Sequence, residues 1–208
     1  MDSVFFTGPA GRLDARLHGP SGGFPVLLLH PHPRFGGTMG SRLVHDLAVA
    51  LGGSGFRAVR FNFRGVGRSE GAYGHGMGEV EDAVAVFDAL AAGAGRAPAV
   101  VGYSFGAAVA CRLATQRAPE RLVLVGCPLR LAETSLDPLR DAPQARCGLP
   151  PAHLVVGDQD GFVTPAQARR LADAFLPPGR LTVLPGAAHF LEPGHNPRAA
   201  AAVLAALA

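Results

Sequence analysis

Short apolar runs alternate with segments whose apolar residues recur at helical spacing, and this alternation constrains the chain more than any other feature. Glycine and proline separate the segments, as expected for short elements joined by tight turns. A chain that alternates in this way forms a mainly parallel sheet with helices on both faces. The predicted strands of the alternating part are 26–30, 56–61, 99–101, 122–125, 154–156 and 181–184, and the predicted helices are 41–51, 79–92, 105–116, 164–175 and one that begins at Asn196-Pro197.

Two further strands, 4–7 and 12–17, precede this part, and the turn sequence between them predicts an antiparallel hairpin. The 208 residues suit a single domain, 1–208. Only the stretch 126–151 is a sizeable insertion, and it is too short for a lid domain, so we expect a minimal cap or none. In such sheets ligands bind at the carboxyl ends of the strands, which is where chemistry is expected.

The composition excludes several classes of function. All 19 basic residues are arginine, so the chain has neither a Schiff-base lysine nor a phosphate-binding loop that ends in lysine. The net charge is only +3, and Arg169-Arg170 is the single adjacent basic pair, which argues against nucleic-acid binding. No cofactor is predicted.

The cysteines and the hydropathy of the sequence indicate where in the cell the protein is expected. The cysteines, Cys111, Cys127 and Cys147, show no metal-binding or redox spacing and predict free thiols in a reducing compartment, the cytoplasm. The amino terminus lacks a signal-peptide pattern, and no apolar run reaches the roughly 20 residues of a membrane span. We therefore expect no membrane association. The sequence leaves the oligomeric state open.

A candidate nucleophile is Ser104 in the segment Gly102-Tyr103-Ser104-Phe105-Gly106. The pattern Gly-x-Ser-x-Gly is weak alone in a chain with 28 glycines. Here a predicted strand precedes it and a predicted helix follows it, as in a nucleophile elbow, where small flanking residues let the turn close. The alternative is a tight turn with a capping serine.

A serine hydroxyl needs a base and a group that orients the base. In folds that carry this elbow the acid and then the histidine follow the serine along the chain. Asp158 and Asp160 both follow the strand 154–156, and either could instead stabilise a turn. His189 follows the last strand, whereas its competitor His195 immediately precedes a helix start. We take His189 as the base.

The loop after the strand 26–30 is expected to supply one oxyanion donor, and the Phe105 N–H the other. The first candidate is the His32 N–H, because Pro31 and Pro33 have no N–H to donate. The Arg34 N–H is the second. His30 and His32 could instead suggest a metal site, but two histidines without a third ligand do not form one, so no metal is predicted.

Two other groups of residues are open to interpretation. The glycine-rich segment 64–71 follows a strand, but Glu70 stands where a dinucleotide fingerprint needs glycine, so we interpret it as a structural loop in which Arg64 or Arg68 pairs locally. Candidate lining residues of a substrate pocket are Phe35, Met39, Phe162, Phe190 and Leu129.

Taken together, these segments resemble the α/β-hydrolase superfamily, and most closely its small lidless bacterial members, described as carboxylesterases or dienelactone-hydrolase-like proteins. The resemblance extends from about residue 24 to 192 and rests on His30-Pro31-His32-Pro33, Gly36-Gly37-Thr38-Met39, 60–71, the elbow 102–106, Asp160 ahead of Val163-Thr164-Pro165, and His189-Phe190. It implies an α/β-hydrolase fold and a triad of Ser104, Asp160 and His189. Dienelactone hydrolases proper have cysteine at the nucleophile, and haloalkane dehalogenases have aspartate.

The expected function is therefore hydrolysis of small or short-chain carboxylic esters through an acyl-enzyme intermediate. A thioesterase or peptidase would use the same residues, because a triad does not select the leaving group. Cofactor-free perhydrolysis and a non-catalytic binding or regulatory module on this scaffold are further alternatives. The expected partner is a small-molecule ester.

Overall fold

The alternation takes the form of one eight-stranded sheet with helices on both faces. The computed structural model describes residues 3–131, 134–144, 152–175, 178–189 and 196–208. The strands are β1 (Ser3–Gly8), β2 (Gly11–His18), β3 (Pro25–Leu29), β4 (Arg57–Phe61), β5 (Ala99–Tyr103), β6 (Leu122–Val125), β7 (His153–Gly157) and β8 (Arg180–Leu184). The helices are α1 (Arg42–Gly53), α2 (Met77–Ala94), α3 (Phe105–Ala114), α4 (Pro138–Gln144), α5 (Pro165–Ala174) and α6 (Asn196–Leu207), and a 3-10 turn spans Pro33–Phe35.

The strand order is β1-β2-β4-β3-β5-β6-β7-β8. Strand β2 pairs antiparallel with β1 and β4, and every later pair is parallel. This confirms the predicted fold class, including the amino-terminal hairpin. Because β3, β5, β6, β7 and β8 run in one direction, the loops that follow them lie along a single edge of the sheet.

The core has two halves, one on each face of the sheet. In β3, Val26 and Leu28 face a layer formed by α1 and α6, whereas Leu27 and Leu29 face the layer of α2, α3, α4 and α5. Successive strand residues point to opposite faces, so a strand covered on both faces is apolar throughout. Every residue of β3, β5 and β6 is buried, which explains why their sequences are continuous apolar runs.

Helix α2 begins at Met77, two residues before the predicted start. The reason is a carboxylate cap. The buried Glu79 accepts hydrogen bonds from the Gly74 N–H at 2.7 Å and the Gly76 N–H at 2.8 Å, which draws the preceding residues into the first turn. Only the tertiary contacts reveal that this charged residue is fully buried.

The glycine-rich loop after β4 is anchored by both of its arginines. Arg64 pairs with Asp82 of α2 at 2.8 Å, and Arg68 pairs with Asp14 of β2 at 2.8 Å. The neighbouring guanidinium of Arg68, assisted by that of Arg16, lowers the pKa of Asp14. These pairs hold the loop against the sheet edge.

Among the described parts of the chain, no helix is both long and apolar enough to span a lipid bilayer.

Candidate active site

Ser104 occupies a sharp turn between β5 and α3. Its backbone angles, φ 53° and ψ −115°, lie in a region that residues with a side chain rarely adopt. The Ser104 N–H donates to the Val125 carbonyl at 2.9 Å, and the Ser104 carbonyl accepts from the Ala107 N–H at 2.9 Å. Strain of this kind persists only where neighbouring structure enforces it, and it is found mostly at functional sites.

The glycines that flank Ser104 are sterically required. A Cβ atom on Gly102 would overlap the backbone of Gly106 and Ala107. A Cβ atom on Gly106 would overlap the Leu29 carbonyl of the adjacent strand β3. The elbow therefore closes only with glycine at both positions, which is the physical basis of the Gly-x-Ser-x-Gly spacing.

Three residues far apart in the sequence form one hydrogen-bonded line. Ser104 Oγ lies 2.9 Å from His189 Nε2, and His189 Nδ1 lies 2.8 Å from Asp160 Oδ2. The other carboxylate oxygen of Asp160 accepts from the N–H groups of Phe162 at 2.8 Å and Val163 at 2.9 Å. A carboxylate at Nδ1 keeps that nitrogen protonated, which makes Nε2 the nitrogen that can accept the serine proton.

The competing acid is placed differently. Asp158 is exposed, and its Oδ1 accepts from the Gly186 N–H at 2.6 Å, so it joins the turn after β7 to the turn after β8. Asp160 is buried, with its side chain only 2% exposed. His195, the competing histidine, and Phe190 lie outside the described residues.

Two residues that support this line were not identified from the sequence. The Tyr103 hydroxyl donates to the His189 backbone carbonyl at 2.7 Å, and burial, together with the negative charge of Asp160, raises the pKa of Tyr103 and keeps it a donor. Gly126 has φ +54°, and a Cβ there would lie 3.2 Å from His189 Cε1. The position of Gly126 directly after β6, at the carboxyl edge, was an available signal.

The candidate oxyanion donors are the backbone N–H groups near Ser104. In the described ranges, the Phe105 N–H, the first N–H of α3, donates no hydrogen bond. The Arg34 N–H, by contrast, donates to the His32 ring Nδ1 at 3.2 Å. Because this N–H already has an acceptor, Arg34 is the weaker candidate for an oxyanion donor. The His32 ring contacts the rings of Phe35 and Phe105, with centroids 4.7 Å from each, and its Nε2 lies 3.2 Å from the Tyr73 hydroxyl. Both ring nitrogens of His32 are therefore engaged, and its backbone N–H is the candidate donor.

The His30 ring is a structural element of the same loop. It is fully buried, and its Nδ1 donates to the Pro31 carbonyl at 2.7 Å while its Nε2 accepts from the Phe63 N–H at 3.1 Å. Both ring nitrogens are therefore used by the backbone, which leaves neither for a metal. Burial lowers the pKa of His30 from 6.5 to about 4.

His30 makes stability depend on pH. Since the folded-state pKa is depressed, the unfolded chain takes up a proton first, and the stabilisation present above pH 6.5 is lost as the pH falls toward 4. We expect the free energy of unfolding to fall by up to about 3 kcal/mol across that window. Urea titrations from pH 4 to 7 measure it. His30→Gln keeps an acceptor for the Phe63 N–H without titrating and should flatten the slope; an unchanged slope would contradict this role.

A cavity of about 820 Å³ opens beside Ser104 and His189. Of the predicted lining residues, Phe35 and Phe162 border it, and both are largely exposed. Met39 is buried and does not border the cavity; its N–H donates to Asn62 Oδ1, and its carbonyl accepts from Arg60. Leu129 packs against the core instead. The complete described lining is Pro31, His32, Phe35, Gly36, Gly37, Ser41, Arg42, Leu43, Tyr103, Ser104, Pro128, Arg130, Leu131, Phe162 and His189.

Comparison with known proteins gives consistent matches. Residues 26–145 match a family model described as serine aminopeptidase S33. An α/β serine hydrolase homologue from Coxiella burnetii superposes with a TM-score of 0.85 at 31% identity, covering 100% of this chain and 97% of that chain. An α/β serine hydrolase without a lid from Xanthomonas campestris superposes with a TM-score of 0.83 at 26% identity, covering 99% and 93%.

A protein of Rickettsia prowazekii, described as uncharacterised, is 39% identical over 121 residues, which are 56% of this chain and 51% of that protein. The chain therefore spans about half the length of this curated relative.

Proposed function

Since the chain belongs to the α/β-hydrolase family described as serine aminopeptidase S33, we propose that its hydrolytic function is the cleavage of small carboxylic esters by Ser104. The single observation that carries the proposal is the contact of 2.9 Å between Ser104 Oγ and His189 Nε2. A hydroxyl becomes an effective nucleophile when a base at this distance can take its proton.

The proposed reaction has two halves. His189 takes the Ser104 proton as Oγ attacks the ester carbonyl, and it then protonates the departing alcohol, which leaves an acyl-serine. Water, deprotonated by His189, attacks the acyl-serine; the bond from the acyl carbon to Oγ breaks, His189 returns the proton to Oγ, and the acid is released. Asp160 holds the imidazole in place and stabilises its protonated form. The Phe105 and His32 N–H groups are the proposed donors to the oxyanion.

An aminopeptidase is the second candidate, because the matching family model carries that description. Such an enzyme must bind the ammonium group of a peptide, which favours carboxylates in the substrate cavity. The described lining contains two arginines, Arg42 and Arg130, and no carboxylate. This charge pattern favours the ester reaction over the aminopeptidase reaction.

Labelling with a fluorophosphonate tests the proposal. An activated serine is phosphonylated, so we expect one adduct per chain in the intact mass, mapped to Ser104 by peptide digestion. The alanine variant of Ser104 should show no adduct and serves as the control. Folded protein without an adduct would favour the alternative, a non-catalytic binding module.

A cytoplasmic location is part of the same proposal. The support is chemical: Cys111 and Cys127 are both buried as free thiols, which is typical of proteins in a reducing compartment.

A further inference from the structure

Arg130 supplies a positive charge to the cavity that holds Ser104. It follows β6, is exposed, and lines the cavity together with Ser104 and His189. Across the described ranges, it makes no ion pair and no side-chain hydrogen bond. The second lining arginine differs, because the Arg42 Nε donates to Asp46 Oδ2 at 2.9 Å. Among the residues that the structure describes, the guanidinium of Arg130 therefore has no partner, and it can bind a ligand.

The rest of the described lining is largely apolar. Phe35, Leu43, Pro128, Leu131 and Phe162 all border the cavity. An apolar groove that contains one arginine without a partner among the described residues suits a molecule that has a hydrocarbon body and an anionic end. The binding energy of such a remote group can accelerate cleavage at the reacting carbonyl.

We propose that the enzyme prefers esters that carry a carboxylate, such as half-esters of dicarboxylic acids, and that Arg130 binds this carboxylate. The inference rests on the proposed ester hydrolysis and specifies its substrate class. One guanidinium presents two parallel N–H groups that match one carboxylate. A phosphate dianion is usually held by several donors, so a single available arginine favours the carboxylate.

Two substrates that differ in one charge test this assignment. In p-nitrophenyl hydrogen adipate the far end is a carboxylate, and in p-nitrophenyl methyl adipate the same end is a neutral methyl ester. Both release p-nitrophenol at the same carbonyl. We expect kcat/KM to be about tenfold higher for the anionic substrate, as for one charge-assisted contact. The preference should shrink in high salt.

Substitutions of Arg130 test whether this side chain causes the preference for the anionic substrate. Arg130→Gln should lower kcat/KM for the anionic substrate about tenfold more than for the neutral substrate, while Arg130→Lys should retain part of the preference. The control is Arg140→Gln, which removes an exposed arginine of α4 outside the described cavity lining. Equal losses on both substrates, or no preference in the unaltered protein, would overturn the proposal.

A binding measurement separates this inference from the proposed function. Monomethyl adipate should bind to the protein with Ser104→Ala, measured by calorimetry, and binding should weaken about tenfold when Arg130→Gln is added. Loss of this dependence overturns the role of Arg130 even if esters are cleaved. Suppose instead that binding of monomethyl adipate depends on Arg130, but the unaltered protein neither cleaves esters nor reacts with the fluorophosphonate. That result would support the anion site and refute the esterase proposal.

Discussion

Ser104→Ala is expected to lower kcat for ester hydrolysis by at least about 10⁴-fold, with KM nearly unchanged. The hydroxyl is the only group of this side chain that would form a bond to the substrate, so its loss removes the acyl-enzyme route. The residual rate would come from the oxyanion donors and the bound geometry. Steady-state hydrolysis of p-nitrophenyl esters by the variant and the unaltered protein measures the loss.

The substitution should leave the fold intact. Alanine keeps the Cβ atom of Ser104, so the backbone at φ 53° experiences the same steric environment. Thermal unfolding by circular dichroism checks this. A matched control is Ser41→Ala, since Ser41 lines the same cavity and its Oγ accepts only the Thr38 N–H at 3.1 Å among its described side-chain hydrogen bonds. If Ser104→Ala retained most of its turnover, Ser104 would not be the nucleophile.

Asp160→Asn is expected to lower kcat by about 10⁴-fold while the protein stays folded. An asparagine oxygen can still accept the Phe162 and Val163 N–H groups, which anchors the side chain as in the native turn. Its amide NH₂ then faces His189 Nδ1, which must become an acceptor. The ring proton moves to Nε2, and that nitrogen can no longer take the proton of Ser104.

The control for this prediction is Asp158→Asn. Asp158 is two residues away in the same turn, but it is exposed and its carboxylate contacts the Gly186 N–H. Its substitution should change kcat less than about threefold, as is usual for a surface polar residue outside the site. Comparable losses in the two variants would show that the turn, and not the carboxylate at His189, is what matters.

The fold could be predicted from the sequence because its signals are local. Continuous apolar runs such as Val26–Leu29 indicate a strand covered on both faces, and alternation with helices leaves few topologies. The start of α2 was the less certain feature, since it depends on the burial of Glu79 and its bonds to Gly74 and Gly76. In a sequence, a glutamate that caps the N–H groups three and five residues before it is hard to distinguish from an exposed acidic residue.

In the candidate site, too, the features set by neighbouring residues could be predicted, and those set by tertiary contacts could not. The elbow around Ser104 was recognisable because its glycines, strand and helix are consecutive. Residue spacing alone could not choose between Asp158 and Asp160, because both follow β7; the turn directs Asp160 toward His189 and Asp158 toward Gly186. No sequence pattern indicated that Tyr103 contacts His189 or that Arg130 lines the cavity.

The sequence by itself determined the mainly parallel sheet and the elbow at Ser104, because periodicity and turn chemistry act between residues close in the chain. Only the tertiary structure decided which carboxylate meets His189, which tyrosine supports it and which arginines line the cavity that holds Ser104. These outcomes depend on groups separated by many residues. Their distances are set by how strands and loops pack, which local sequence does not encode.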